Sequence, residues 1–393
     1  MNQNLLVTFN PGSSTIKLGL FADANSKPRR IGGGMIDLRA APLMLHISEG
    51  PKRTDIELKS ALQEDLHDLI SETLESLVEH FASDHFIGAG HRVVHGGDRF
   101  SGPARIDDQV LAAIAALRHL APLHQPRAVR LIESIRRIWP DVPQIASFDT
   151  AFHRTQTDTE RRIALPRELF GEGVKRYGFH GLSYKFIAGA LAREAPEIAA
   201  GRVVVAHLGS GASLCALEGG ISRSASMGFS TLDGIPMATR SGAIDPGILL
   251  YLLQERRLAV ADLEDMLYHR SGLLGLSGIS ADARVLTESE EPAAAEAMAI
   301  FALAIARQVA AYAATLKGLD GLVFTAGIGE HQPALRAAVC DHLGWAGIDI
   351  DAQSNVFNET RISTRTSGVA VFVLPTDEES VIAEEAASIL ASG

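Results

Sequence analysis

Leu5-Leu6-Val7-Thr8-Phe9-Asn10-Pro11-Gly12-Ser13-Ser14-Thr15-Ile16-Lys17-Leu18-Gly19-Leu20-Phe21 opens the chain as two apolar, β-type runs joined by a short polar turn. Branched and aromatic side chains suit the flanking runs to a pleated surface, and Asn-Pro-Gly-Ser-Ser marks the turn between them. Such a turn leaves backbone N–H groups and hydroxyls at a hairpin tip with no Cβ in the way, a shape that suits phosphate oxygens. The pattern recurs. Val203-Val204-Val205-Ala206-His207-Leu208 leads into Gly209-Ser210-Gly211-Ala212-Ser213 and then into Leu214-Cys215-Ala216-Leu217. Either turn alone reads as an ordinary hairpin. The pair, about half a chain apart, predicts two related domains gripping one nucleotide from both sides.

At 393 residues the chain is long enough for two domains, each with its own core. An apolar share of 46% with 21% charged residues is a soluble globular balance. The net charge of −11 argues against a nucleic-acid-binding surface while leaving room for a local basic pocket. Cys215 and Cys340 give neither a disulfide framework nor a metal-ligand spacing, and read as small buried hydrophobes. The N-terminus runs straight into a strand, without the basic and apolar regions of a secretory signal. The apolar stretch Ala299–Leu316 is interrupted by Arg307 and Gln308, so no clean membrane span is expected. A cytoplasmic, reducing location with neither nucleic-acid nor membrane partners is the resulting expectation.

Further along, extended sequence is expected around Ile31–Ile47, and apolar residues at helical spacing (Leu58, Leu62, Leu66, Leu69, Ile70, Leu74, Leu77) predict one or two amphipathic helices over Asp55–Phe81. Phe86–Val94 reads as a strand, Asp107–His119 and Gln125–Ile138 as helices, and Pro143–Phe148 as a strand delivering Asp149 at its end, where the domain boundary is placed. From about Gly201 a three-strand meander repeats the N-terminal pattern. Helices are expected over Gly247–Gln254, Ala259–Tyr268 and Glu291–Leu316. A strand follows at Gly321–Thr325, then a turn at Gly327-Ile328-Gly329, a helix at Gln332–Leu343, a strand at Val369–Leu374 and a terminal helix. The commonest nucleotide motifs are missing: there is no G-x-x-x-x-G-K-[ST], and no G-x-G-x-x-G opens a helix after a strand. A duplicated strand-turn-strand phosphate grip is similar instead to the actin-like ATPase superfamily.

Segments in a fixed order then resemble the acetate/propionate kinase family. They begin with Leu6–Lys17, Gly90-His91-Arg92-Val93-Val94-His95-Gly96-Gly97 and Ala121-Pro122-Leu123-His124. Phe148-Asp149-Thr150-Ala151-Phe152-His153, Arg176-Tyr177-Gly178-Phe179-His180-Gly181, Met227-Gly228-Phe229 and Thr239-Arg240-Ser241-Gly242 follow. Asp245-Pro246-Gly247, Ser271-Gly272-Leu273-Leu274-Gly275, Phe324-Thr325-Ala326-Gly327-Ile328-Gly329-Glu330 and Pro375-Thr376-Asp377-Glu378-Glu379 complete the series. The resemblance implies an α/β fold of two duplicated actin-like (ribonuclease H-like) domains with a nucleotide cleft between them. The N-terminal domain would span 1–149, completed by a C-terminal helix 380–393. The second, at 150–379, would bind adenosine and dimerise. The implied reaction is reversible phosphoryl transfer between ATP and acetate, giving ADP and acetyl phosphate, with Mg²⁺ (or Mn²⁺) in a cytoplasmic homodimer.

That chemistry makes its own demands. A carboxylate is already ionised at neutral pH, so no general base is needed to create the nucleophile. The obstacle is repulsion between an anion and an anionic γ-phosphoryl, which calls for cations, a metal and in-line positioning. Arg92 after a strand, Arg240 in Thr-Arg-Ser-Gly, and His180 in Phe-His-Gly supply cationic or donor groups at turns. By resemblance the arginines bind carboxylate and the transferring phosphoryl, and His124 and His180 bind phosphoryl oxygens. Arginine's planar, permanently charged fork suits the task. Replacement of Arg92 or Arg240 by alanine is expected nearly to abolish turnover without unfolding the protein. His91 and His95 read as hydrogen-bonded structural residues, and His153 as a weaker candidate. Asp149 stands where a sugar kinase would place a base; with a carboxylate acceptor it organises metal and water. Glu378 and Asn10 are the metal candidates, while Thr376 and Glu379 read as a capping box. The resemblance assigns the nucleotide to Lys17, His207, Gly209, Ser210, Gly211, Asp282, Arg284, Gly327, Ile328, Gly329 and His331.

Some positions depart from the family pattern. Ser210 replaces an asparagine, Leu182 and Tyr184 replace a hydroxyl and an imidazole, and Gln125 and His331 replace asparagines. Thr231 stands where a proline commonly lines the acyl pocket, whose apolar wall otherwise matches at Val94, Leu123 and Phe179. These changes bear on donor and acyl preference, so a propionate or other short-chain carboxylate kinase is the nearest alternative. An actin-like ATP-binding regulatory module is the distant one: it would keep the phosphate turns but need neither arginine.

Overall fold

In β1 (Leu5–Pro11) alternate side chains serve opposite faces of a sheet: Leu5, Val7 and Phe9 belong to one apolar cluster and Leu6 to another. The computed structural model describes residues 4–12, 15–22, 27–38, 40–60, 66–81 and 85–392. Ser13 and Ser14 of the first turn, and Leu62, lie outside the described residues.

The chain divides into two units, Met1–Phe152 with Asp377–Gly393, and His153–Thr376. In the first unit β1 pairs antiparallel with β2 (Thr15–Ala22), which pairs with β3 (Arg29–Asp37). β4 (Met44–Glu49) and β5 (Lys52–Glu57) extend that edge, while β6 (Phe86–Val93) lies parallel to β1. The short β7 (Ala104–Arg105) flanks β8 (Gln144–Phe148), giving the order β5-β4-β3-β2-β1-β6-β8-β7. Leu69, Ile70, Leu74 and Leu77 of the helix Leu66–Phe81, with Leu131 and Ile135 of the helix Gln125–Ile138, cover one face. The C-terminal helix Glu378–Ala391 covers the other, through Ala383 and Ala386. Its close approach requires bare backbone on β6. A Cβ at Gly88 would stand 2.6 Å from Leu390 Cδ1, and one at Gly90 2.6 Å from Ile382 Cγ2.

The second unit repeats the plan. β9 (Arg202–Leu208), β10 (Ala212–Glu218) and β11 (Ile221–Ala225) form an antiparallel meander. β12 (Gly321–Thr325) lies parallel to β9, and β13 (Ala370–Val373) parallel to β12. The order β11-β10-β9-β12-β13 matches β3-β2-β1-β6-β8 strand for strand in direction and connectivity. This is the duplication that the two turns announced. The helix Pro292–Leu316 is long and apolar enough to cross a membrane by length and composition. Its Phe301, Ile305 and Val309 are nevertheless fully buried, and it packs on β9 and β10 as a core helix.

Three local expectations are corrected. Lys52–Glu57, partly inside the expected helical stretch 55–81, is the edge strand β5, and the described helix begins at Leu66. Its alternating exposure and its pairing with β4 override the leucine spacing that begins at Leu58. Gly327-Ile328-Gly329 is not a turn but the body of a helix, Ala326–His331. The capping box at Thr376 and Glu379 does not form. Asp377 is the N-cap, accepting from Ser380 N at 3.0 Å, because Glu379 is turned inward.

Candidate active site

In the first unit, three strand ends and the start of the terminal helix meet at Arg92. It sits near the end of β6, opposite Ser147 of β8, which delivers Asp149 one residue beyond its end. Arg92 Nε donates to Asp149 Oδ1 and Oδ2, each at 3.1 Å, and Nη2 donates to Oδ2 at 2.6 Å. Nη1 donates to Asn10 Oδ1 at 3.0 Å and lies 3.8 Å from Glu378 Oε2. Burial works against the charged guanidinium, but Asp149 and Glu378 outweigh it and hold Arg92 above its ordinary range. Asn10 bridges the cluster: its amide donates to Glu378 Oε2 and Glu379 Oε1, both at 2.8 Å. Burial holds Glu379 above the usual carboxylate range, Lys17 opposing and Glu378 adding to the shift.

The metal expectation can be tested on these donors. Among the described residues no group of three or more His, Cys, Asp or Glu could hold an ion. Mg²⁺ needs only one or two protein carboxylates, with water and phosphate oxygens completing its shell. Glu378, with 13% of its side chain exposed, fits that donor set. Asn10 Oδ1 instead accepts from Arg92.

In the second unit the β9–β10 turn is the organising feature. Gly209 N–H donates to Gly211 O at 3.1 Å, closing it, and Ala238 N–H donates to Ser210 O at 3.2 Å. A Cβ at Gly211 would lie 2.9 Å from Arg240 Nη2 and 3.3 Å from His180 Nε2, so arginine and histidine crowd the same bare backbone. Arg240 Nη1 donates to Thr231 O at 2.8 Å. His180 has the left-handed conformation (φ 55°) as N-cap of the helix Gly181–Glu194, and its ring stacks on His207 at 4.3 Å. Serines hold both imidazoles: His180 Nδ1 lies 2.7 Å from Ser213 Oγ, and His207 Nδ1 lies 2.8 Å from Ser183 Oγ. Tyr184 reaches Ser213 Oγ at 2.6 Å.

The other expected residues are spread over their own units. In the first, His124 is the N-cap of the helix Gln125–Ile138, Leu123 beside it is exposed, and Val94 is buried. In the second, Phe179 and Thr231 are buried. Gly327, Ile328, Gly329 and His331 share the helix Ala326–His331. Asp282 caps the helix Ala283–Glu288 and accepts from Arg284 Nη2 at 2.7 Å. His153 is structural: its ring nitrogens bond Ser222 Oγ at 2.8 Å and Phe179 O at 2.9 Å.

Sequence reasoning missed several supporting side chains. Arg127 donates to Gly12 O at 2.7 Å, tying the helix Gln125–Ile138 to the first turn. The fully buried Arg336 donates to the carbonyls of Gly329 and Glu330 at 2.8 and 3.0 Å, holding the end of the helix Ala326–His331. Ser183, Ser213 and Tyr184 stand around the histidines, and only the Tyr184 departure hinted at them. Gln125, another departure, has its amide on His95 O and Ile114 O at 2.9 and 3.1 Å.

Comparison with known proteins identifies the family. Residues 5–384 match the acetokinase family. An acetate kinase of Methylocella silvestris is 42% identical over 394 residues, covering 98% of each chain. Among solved structures, a propionate kinase from Francisella tularensis superposes with a TM-score of 0.89 at 34% identity, covering 98% of this chain and 99% of its own. Acetate kinase from Porphyromonas gingivalis gives 0.87 at 32% identity, covering 98% and 100%.

Proposed function

Because the chain belongs to the acetokinase family, we propose that it transfers the γ-phosphoryl group of ATP directly to acetate, reversibly, forming acetyl phosphate and ADP. The observation that carries this reading is the state of Asp149. Both of its oxygens are engaged by the Arg92 fork, at 2.6 to 3.1 Å. A kinase acting on a hydroxyl needs a carboxylate ready to accept a proton. An acceptor that is already anionic needs a cation instead, and Arg92 is that cation.

Arg92 would orient the acceptor carboxylate, and Val94 and Leu123 of the first unit and Phe179 and Thr231 of the second are the candidates for binding its acyl group. Arg240, His180 and His124 would bind the equatorial oxygens of the phosphoryl group in transfer, where charge spreads in a loose transition state. Lys17, His207, the 209–211 turn, Asp282, Arg284 and the Gly327–His331 segment would hold the nucleotide. Glu378 would anchor Mg²⁺, which when bound neutralises charge on the β- and γ-phosphoryl oxygens. A homodimer is also proposed, supported by exposed Ile248, Leu250 and Tyr251 on the helix Pro246–Gln254. Buried Cys215 and Cys340, whose thiols burial pushes up to about 12, suit a reducing cytoplasm.

The test is the rate of acyl phosphate formation from Mg-ATP with formate, acetate, propionate and butyrate, trapped as hydroxamate. A maximum at acetate is expected. A maximum at propionate would move the substrate, as the Francisella relative and Thr231 allow, since one methylene is worth only about 1–3 kcal/mol in a pocket. No turnover with any acid, in folded protein that binds ATP, would overturn the reading.

A further inference from the structure

Resting on the reading that His180 binds a phosphoryl oxygen, we propose that Tyr184, acting through Ser213, is a positioning residue that fixes His180 as the neutral tautomer with its proton on Nε2. Three groups and their hydrogens carry the argument. Tyr184 Oη lies 2.6 Å from Ser213 Oγ, which lies 2.7 Å from His180 Nδ1. Tyr184 and Ser213 are both fully buried. Among the described residues, no other hydrogen-bond partner faces either hydroxyl.

Only one assignment of protons satisfies both buried hydroxyls. If Tyr184 donates to Ser213, the serine hydrogen has one acceptor left, His180 Nδ1, and the ring proton must sit on Nε2. If His180 Nδ1–H donated instead, either the tyrosine or the serine would keep a buried hydroxyl hydrogen with no acceptor, a costly arrangement. An imidazolium fails for the same reason, since it too needs Ser213 as acceptor at Nδ1. Burial strongly favours the neutral, donating phenol: Tyr184 is held well above its ordinary range.

The surroundings point the same way. Among the groups beside His180 are the Arg240 guanidinium across Gly211 and the stacked His207 ring, and Cys215 and Tyr312 act electrostatically on Tyr184. A permanent positive charge beside the ring disfavours a second one. His207 provides a contrast. Its serine, Ser183, donates to Thr376 Oγ1 at 3.0 Å, so His207 Nδ1 is the donor there. The consequence for His180 is a neutral N–H aimed beside Arg240, able to meet phosphoryl oxygen at any pH near neutrality.

The experiment uses full-length protein with ¹⁵N-labelled histidine, His180 being assigned by comparison with His180→Asn. Long-range ¹H–¹⁵N correlation at pH 7.5 should show a pyridine-type Nδ1 and a pyrrole-type Nε2. In Tyr184→Phe, Ser213 can accept from Nδ1–H, so His180 should become a tautomer mixture and gain a titration. Its kcat should fall about 10-fold at pH 8 and recover towards pH 6, where the imidazolium restores an Nε2 donor, with the KM for the acid little changed. A purely structural loss would lower kcat equally at every pH. Should Tyr184→Phe not fold, Ser213→Ala is read in the same way. An Nδ1–H or imidazolium His180 in the parent protein, or a variant with unchanged tautomer and pH profile, overturns the inference. The tautomer readout needs no turnover, so an inactive protein with the expected His180 would sink the proposed function and leave the relay standing.

Discussion

Arg92 and Arg240 look equivalent in the sequence, but the structure separates them. Arg92 has a carboxylate partner that is only 1% exposed, and its fork occupies both oxygens. Arg92→Ala removes that fork from a buried Asp149, and a cost of about 3–5 kcal/mol in stability is expected besides the loss of turnover. Arg240 is different: its Nη1 bonds a backbone carbonyl, Thr231 O. For Arg240→Ala, kcat should fall about 100- to 1000-fold, as for loss of one transition-state donor, while the urea midpoint stays close to the parent's. Urea titration with the hydroxamate assay separates the two. An Arg92→Ala protein as stable as the parent would show that Asp149 finds another partner.

At the scale of elements, the β9–β10 turn is where backbone shape and chemistry coincide. Gly211→Ala would press a methyl group to 2.9 Å from Arg240 Nη2 and 3.3 Å from His180 Nε2. Both are side-chain ends and not backbone, so the fold should survive while the two groups are pushed from their positions. We expect kcat to drop about 10- to 100-fold with an almost unchanged melting temperature, measured by calorimetry beside the rate assay. A parent-like rate would mean that neither group needs its present position. This turn was legible in the sequence because glycine and serine between β-branched runs have few other uses. Both three-strand meanders were legible for the same reason, and Arg92 and Asp149 because they end strands. Less legible was whatever depends on a neighbour distant in sequence. Lys52–Glu57 became a strand because β4 offered it an edge. Glu379 was expected in a cap and is instead bonded to Asn10, a contact across 369 positions. Ser213 and Tyr184 met His180 only through folding, since no local pattern links a strand serine to a helix tyrosine.

For the whole molecule, buried histidines set the acid limit of stability. His91, His95 and His153 are each no more than 1% exposed. Burial lowers His91 to about 3 and His95 and His153 to about 4, from an ordinary value near 6.5. His91 stacks on Phe9 at 5.2 Å, and among the described residues its Nδ1 has no hydrogen-bond partner, so a charged ring would be poorly served there. These groups are neutral in the folded chain and take up protons on unfolding once the pH is below 6.5. Their contribution is fully present above pH 6.5 and is lost as pH falls towards 4 and then 3. Glu379 works in the opposite sense, because burial raises it, but it is one group against three. With three extra protons bound by the unfolded chain, stability should fall by up to about 4 kcal/mol per pH unit within the window. Urea unfolding at pH 7.5, 6.0 and 5.0 measures that slope, and His153→Gln should reduce it by roughly a third while costing some stability at pH 7.5 through the lost bonds to Ser222 and Phe179. A flat profile between pH 7.5 and 5.0 would mean that the folded and unfolded chains bind equal numbers of protons there. The histidines would then have to be charged inside the fold, which their surroundings argue against.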